Sequence, residues 1–416
     1  MSAAPPTRVG LCALAAAVVS VGGCSLGQPL PAPIVERQLT ATVKHWGAFF
    51  GAGKGVNWDV RTSPAAVTLP GPVAEVGTSN SSQYALLTDG RLYAWGLGTD
   101  GQLGDGRRAN SFRHPVQVRF PRGVRIASIP TDAMPYNTAL AVDTRGHVWG
   151  WGNNGGGELC LGRGRAYSRP VRLPLSHVTA LAGASNHALY DANDKVFACG
   201  QNIDGDLGIG STRSTGRPVR VVGLEDSPVT ELVAAFANSG ALLANGAYFD
   251  WGLDRAGQLG DGRFRRSSDV PVLVRLPSPV AQVAQGGSIQ SNGQTLVMLS
   301  DGSVWAWGND RFSQLGDGRT GSRALPEQIR QPAGVTYKIL ATGSATSYAI
   351  STTGRVYAWG VSFVGQLGDG LTLTARKPVL VASGAVAISA TANDVNISVP
   401  RQLVNSGEAG NGLADP

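Results

Sequence analysis

The chain has 416 residues, 57 of them Gly, with 42% hydrophobic residues, 15% charged residues and a formal net charge of +7. That hydrophobic content excludes a disordered polar chain, and the net charge is modestly basic with no long run of like charge to explain it. Length alone would suggest two or three domains, a prior that fails where one unit is repeated.

Residues 1–23 come first: one Arg (Arg8), the apolar run LCALAAAVVSV, then Gly22, Gly23 and Cys24. The run is too short to span a bilayer as a helix and reads as the core of a signal peptide. Val21-Gly22-Gly23-Cys24 resembles a bacterial lipobox, in which the Cys thiol receives diacylglycerol and becomes the first residue of the mature chain; the alternative is an ordinary secretory signal with Cys24 incidental. The expectation is lipidation at Cys24 and export to the bacterial cell envelope. Ser25 offers no acidic retention signal, so in a two-membrane organism the outer membrane is expected. Residues 24–36 are a Pro-rich tether, and residues 405–416 a flexible tail.

Between them a unit repeats. Trp-Gly occurs at Trp46, Trp95, Trp151, Trp251, Trp307 and Trp359, and Cys199-Gly200 fills the remaining slot, with spacings of 49, 56, 48, 52, 56 and 52 residues. Seven residues after six of these slots stand Gln102, Glu158, Asp206, Gln258, Gln314 and Gln366, each followed by Leu. A Pro arrives 18–20 residues after every slot. Two residues before the slot is an aromatic (Tyr93, Trp149, Phe197, Phe249, Trp305, Tyr357), on the same strand face as the Trp by the period of two. Turn signals and a further apolar strand precede it. A unit of about fifty residues with about four short strands cannot bury both sheet faces alone and must stack on its copies, as propeller blades do. The six Trp residues are expected in the blade cores.

At the ends, AVAISATANDVNISV (385–399) supplies the first half of a unit and QLTATVKHWG (38–47) the second. The expected fold is all-β, a seven-bladed propeller over residues 37–404, closed by a composite blade that leaves no open edge. That blade departs from the pattern, with Lys44 at the aromatic position and GAFFGAGKG in place of the Leu-Gly turn.

Aromatic-x-Trp-Gly, then Gly-Gln-Leu-Gly-Asp-Gly, then Pro, resembles the regulator of chromosome condensation repeat, across about residues 37–404. The resemblance implies the same seven-bladed ring with a composite blade. It leaves function open, because such propellers serve as exchange factors, inhibitors and scaffolds.

The residues point to no catalysis, no cofactor and no metal. A Gly-x-Ser-x-Gly elbow is absent, GAGKG (51–55) lacks the spacing and the Ser/Thr of a phosphate loop, and His45, His114, His147, His177 and His187 have no metal-ligand spacing. Asp105, Asp261, Asp317 and Asp369 recur before Gly at equivalent turns and read as turn chemistry. Cys160 stands where Gly104 stands in its unit, and Cys199 stands in the Trp slot of the next. An even pair in an exported chain invites a disulfide between adjacent blades; the alternative is two buried thiols filling small gaps.

Between each of these turns and its Pro the chain is rich in cations: Arg107, Arg108 and Arg113; Arg163, Arg165 and Arg169; Arg213 and Arg217; Arg263, Arg265 and Arg266; Arg319 and Arg323; Arg376 and Lys377. These are fifteen of the 35 basic residues against one acid, Asp269. Equivalent positions put them on one side of the ring. There they form a basic face for an anionic partner (an acidic protein, lipid headgroups or an envelope polymer), or pack their stems on neighbouring blades and pair with the turn Asp residues. The functional expectation is a monomeric, membrane-anchored interaction or scaffold propeller outside the cytoplasm, with no nucleic-acid partner. A secreted inhibitor similar to the β-lactamase-inhibiting propellers and, by family resemblance, a guanine nucleotide exchange factor are the alternatives.

Overall fold

A computed structural model describes residues 41–50, 57–79, 82–130, 137–184, 186–224, 227–288, 293–390 and 394–400. Cys24, the tether and the tail lie outside these residues. Among the described residues every regular element is a β-strand, and the strands form seven four-stranded antiparallel sheets, the blades of a closed propeller. Six blades are consecutive in sequence: blade 1 (73–117), blade 2 (126–176), blade 3 (178–220), blade 4 (229–273), blade 5 (280–329) and blade 6 (337–382).

Blade 1 shows how the sequence makes the unit. Its strands are Val73–Ser79, Ser82–Leu87, Leu92–Gly96 and Ser111–Gln117, from the centre of the ring outward. The second strand, SQYALL, is buried at every residue, as a strand covered by a blade on each face must be. Asp89-Gly90 turns it into the third, with Gly90 at a φ of 81° and the Arg91 N–H donated to the Asp89 carboxylate. The outermost strand is largely half-exposed, and it is where the repeated proline falls: Pro115, Pro170, Pro218, Pro271, Pro326 and Pro378 all lie in fourth strands, where a missing N–H faces no further strand.

The seventh blade is composite. From the outside inward its order is Asn57–Val67, Ala41–Phe50, Asp394–Pro400, Ala387–Ala390. The two ends of the chain pair in unbroken antiparallel register from Ala41 opposite Pro400 to Gly47 opposite Asp394. The seven-bladed ring and its closure by both termini are therefore as the repeat spacing implies.

All six slot Trp residues are buried to within 1% of complete. Five indoles reach across to the preceding blade, donating Nε1–H to the main-chain carbonyl of the residue seven places after that blade's slot. Trp151 donates to Gln102, Trp251 to Asp206, Trp307 to Gln258, Trp359 to Gln314 and Trp46 to Gln366, at 2.8–2.9 Å. The Gly two residues beyond each of those carbonyls lies against the same indole. A Cβ built on Gly104, Gly208, Gly260, Gly316 or Gly368 would stand 2.6–2.8 Å from the indole nitrogen, and each has a positive φ. Trp and Gly are thus two halves of one latch between blades. Trp307→Ala, which empties the latch between blades 4 and 5, is expected to cost about 3–5 kcal/mol. Urea unfolding measures it, and an unchanged midpoint would contradict the packing.

Candidate interaction face

The motif Gly-Gln-Leu-Gly-Asp-Gly lies in the loop from third to fourth strand, and its side chains fold inward. Gln102, Gln258, Gln314 and Gln366 are buried, and each Oε1 accepts the N–H of the residue two positions earlier, at 2.7–2.9 Å. The turn carboxylates Asp105, Asp261, Asp317 and Asp369 each accept the N–H two residues on, which makes them turn residues. Gly106, Gly162, Gly210, Gly262, Gly318 and Gly370 donate their N–H groups to carbonyls in the next blade at 2.8–3.1 Å. The loops are therefore pinned to one another around the ring, and in all six consecutive blades they emerge on the same side.

One set of residues in this loop is not evident from the repeat. Three positions after the slot stand Asn154, Asn202, Asp254, Asp310 and Ser362, and their side-chain oxygens accept the N–H of Leu159, Leu207, Leu259, Leu315 and Leu367. The signal is a constant offset occupied by short polar residues. Burial is the main influence on Asp254 and Asp310, pushing both carboxyls up to about 7.

The basic residues of these loops divide into two groups. Arg107 pairs with Asp105 at 2.6 Å, Arg265 with Asp254 and Asp261 at 3.2 and 2.9 Å, and Arg266 with Asp204 at 3.9 Å. Arg319 and Arg323 both engage Asp317 and Glu327. Burial alone would raise the Asp317 carboxyl, but the Arg319 N–H and the two guanidinium groups hold it below the usual range. Arg108, Arg163, Arg165, Arg213, Arg263 and Arg376 make no ion pair among the described residues; Arg108 donates to the Ala166 carbonyl and Arg165 lies over the Tyr167 ring. Both readings of these cations hold in part, some pairing with the turn carboxylates and others left without an ion pair. Arg107, Arg265, Arg266, Arg319 and Arg323 are engaged by local carboxylates, and cations without an ion pair remain in both halves of the ring.

The same loops, and the start of the fourth strand of blade 5, expose large apolar residues. Ile203, Phe264, Leu325, Phe363, Leu371 and Leu373 are each more than half exposed. Five of the six belong to blades 4–6. One side of the propeller therefore presents cations around the ring and an apolar sector in blades 4–6.

Between blades 2 and 3 the latch is covalent. Cys160 and Cys199 form a disulfide with Cα atoms 5.5 Å apart, joining the Gly position of one blade to the Trp slot of the next. Cys160 keeps the positive φ of the glycines it replaces, 55°. The Glu158 carbonyl, which receives no indole, accepts the Tyr190 hydroxyl at 2.9 Å. His187 is buried, its Nε2 is 2.9 Å from the Ser239 hydroxyl, and burial pushes its imidazole down to about 4. No group of three or more His, Cys, Asp or Glu side chains able to hold a metal occurs among the described residues.

Comparison with known proteins matches these units. The pattern of the Regulator of chromosome condensation (RCC1) repeat fits residues 89–130, 193–239, 245–289 and 301–350. The chain is 26% identical over 294 residues to the ultraviolet-B receptor UVR8 of Arabidopsis thaliana, covering 70% of this chain and 65% of that protein. It is 28% identical over 358 residues to the human E3 ubiquitin-protein ligase HERC2, covering 83% of this chain but only 7% of HERC2. The solved structure of Prp20p from Saccharomyces cerevisiae superposes with a TM-score of 0.72 at 18% identity, covering 87% of this chain and 92% of Prp20p. That structure was described together with the binding properties of Prp20p to Gsp1p and histones.

Proposed function

We propose, for a chain that belongs to the RCC1-repeat family, a protein-interaction propeller held at the outside of a bacterial membrane, binding its partner through the side that carries the loops between third and fourth strands. The observation that carries this reading is the division of labour in those loops. Their Gln, Asp, Leu and Gly residues are engaged in the turns and latches, whereas the intervening Arg and apolar residues are held out to solvent on one side. A rigid frame with variable exposed side chains is how binding surfaces are commonly built. Prp20p, described with its binding to Gsp1p and histones, supports a protein as the partner. The chain spans only a small part of HERC2 and about two thirds of UVR8, so neither ligase nor receptor activity is carried over.

Location outside the cytoplasm is supported by the lipobox at Cys24 and by a buried disulfide, a bond that persists chiefly in oxidising compartments. Cys24→Ser is expected to move the chain from the membrane to the soluble fraction. A wild-type chain already found in the cytosol would refute the anchor and return guanine nucleotide exchange to consideration.

The binding side is tested with arginines that make no ion pair. Reversing Arg163, Arg213 and Arg263 to Glu together is expected to weaken binding to immobilised envelope proteins, most strongly at low salt, with stability changed by no more than about 1–2 kcal/mol. Unchanged binding would assign the partner to another surface.

A further inference from the structure

The exposed apolar residues of blades 4, 5 and 6 meet across both blade boundaries. The Leu325 side chain of blade 5 lies over the blade-4 turn, 3.2 Å from where a Gly262 Cβ would stand, and Phe264 follows in the same turn. Phe312 of blade 5 meets Phe363 of blade 6 edge to face, with ring centroids 5.8 Å apart. Leu371 and Leu373 extend the patch along the blade-6 loop. Phe264 and Leu325 are 61% exposed, Phe363 65% and Leu373 67%. Large rings and aliphatic chains held this far into water, on neighbouring blades of one side and in segments fixed by inter-blade hydrogen bonds, mark an interaction site.

Most of the carboxylates around the patch are engaged by arginines, and several cations are left without an ion pair. Asp254, Asp261, Asp317 and Glu327 are engaged by Arg265, Arg319 and Arg323. Asp369 accepts the Leu371 N–H. Among the described residues Arg255, Arg263, Arg311, Arg376 and Lys377 make no ion pair, and Arg311 lies over the Phe312 ring, 5.5 Å from its centroid. An apolar centre with a cationic rim is complementary to a protein segment that carries Leu or aromatic side chains beside Asp or Glu.

We infer that the sector formed by the loops of blades 4, 5 and 6 is the docking site for a protein partner whose contacting segment is apolar and acidic, with Phe264 and Phe363 as its anchors. This rests on the reading that the loop side is the binding side, and it adds the sector and the chemistry of the partner. Aromatic anchors at the centre of an interface carry a large share of its free energy, whereas the rim charges set orientation and salt dependence.

The test uses the full chain. Short random peptides displayed on phage are selected on it, and the strongest binder is synthesised and measured by fluorescence anisotropy. The expected binder carries Asp or Glu next to Leu, Phe or Trp. Its affinity falls at least about tenfold with Phe264→Ser/Phe363→Ser, a change at exposed sites that leaves the melting midpoint in place. It falls again when its carboxylates become amides. No enrichment, or a binder indifferent to Phe264→Ser/Phe363→Ser, overturns the inference. A binder lost with Arg163→Glu/Arg213→Glu but not with the Phe pair would overturn this sector and leave the loop side standing; one indifferent to both would remove the loop side as well. Two further results would overturn the protein partner: Phe-dependent sedimentation with phosphatidylglycerol vesicles, which makes the occupant a bilayer, and a concentration-dependent dimer abolished by the Phe pair, which makes it a second copy of this chain.

Discussion

A chain ending at residue 384 is expected to aggregate, or to unfold without a cooperative transition, although it keeps all six consecutive blades. The deletion removes Ala387–Ala390 and Asp394–Pro400, the two inner strands of the closing blade. Ala41–Phe50 would lose its partner along the whole register from Ala41 to Gly47. Trp46 would lose Ile388, Val395 and Ile397 from the cluster in which it is buried. The Thr78 hydroxyl would lose Ser389 and the Ala390 carbonyl. Burying each Ile or Val is worth about 1.5–3 kcal/mol, so the three together are on the order of 5–9 kcal/mol. That is comparable with the entire stability of an ordinary domain, about 5–15 kcal/mol. The loss also opens the ring, exposing the flanks of Val73–Ser79 and Tyr337–Thr342 that now pack on Ala387–Ala390, and leaving Ala41–Phe50 as an unpaired edge that invites intermolecular pairing. Urea unfolding followed by Trp fluorescence distinguishes the outcomes. A soluble truncation with a single transition of unchanged slope would show that the ring does not depend on its closure.

The frame of the molecule is legible in the sequence because it rests on residues with few substitutes. Only an indole fills the slot and reaches the neighbouring carbonyl, and only Gly lies at positive φ against the indole face, so Trp and Gly recur in phase. Proline recurs for the complementary reason, since the outermost strand alone tolerates its missing N–H. The position three residues after the slot is harder to read. Its task, accepting the Leu N–H, can be met by Asn, Asp or Ser, and in blade 1 the position is Gly98, which has no side chain to do so and donates its own N–H to Asn110. The face itself is read only coarsely. A count of arginines between turn and Pro finds one acid, but the carboxylates that engage Arg107, Arg265, Arg319 and Arg323 stand just outside those segments, at Asp105, Asp254, Asp261, Asp317 and Glu327. Which cations remain unpaired depends on which side chains the fold brings together. The apolar sector is hidden for the same reason: Leu325, Phe363 and Leu373 have the composition of core residues, and only their place on an outermost strand or on the loops exposes them.

Rebuilding the latch between blades 2 and 3 is expected to restore the stability lost with the disulfide, but only if three residues change together. Cys160 occupies the Gly position and Cys199 the Trp slot. The third residue is Tyr190. In the strand pairing it stands opposite Phe197, where the other blades have Ala85, Ala141, Ala241, Val297 and Ala349 opposite their aromatics. A large ring has been added where the large indole is missing, and its hydroxyl donates to the Glu158 carbonyl that an indole would otherwise reach. Cys160→Ala/Cys199→Ala should lose about 4 kcal/mol, the chain-entropy effect of opening a loop across 39 residues. The wild type unfolded in urea with reductant should lose a similar amount. Cys160→Gly/Cys199→Trp, with Tyr190 retained, forces two large rings into space built for one and should be destabilised by a further 1–3 kcal/mol, roughly the cost of overpacking. Adding Tyr190→Ala should relieve that strain and restore most of the lost stability, now identical with and without reductant. If the double and triple variants unfold at the same midpoint, Tyr190 does not occupy the indole's place. If reductant leaves the wild-type midpoint unmoved, the disulfide contributes nothing to holding the third blade against the second.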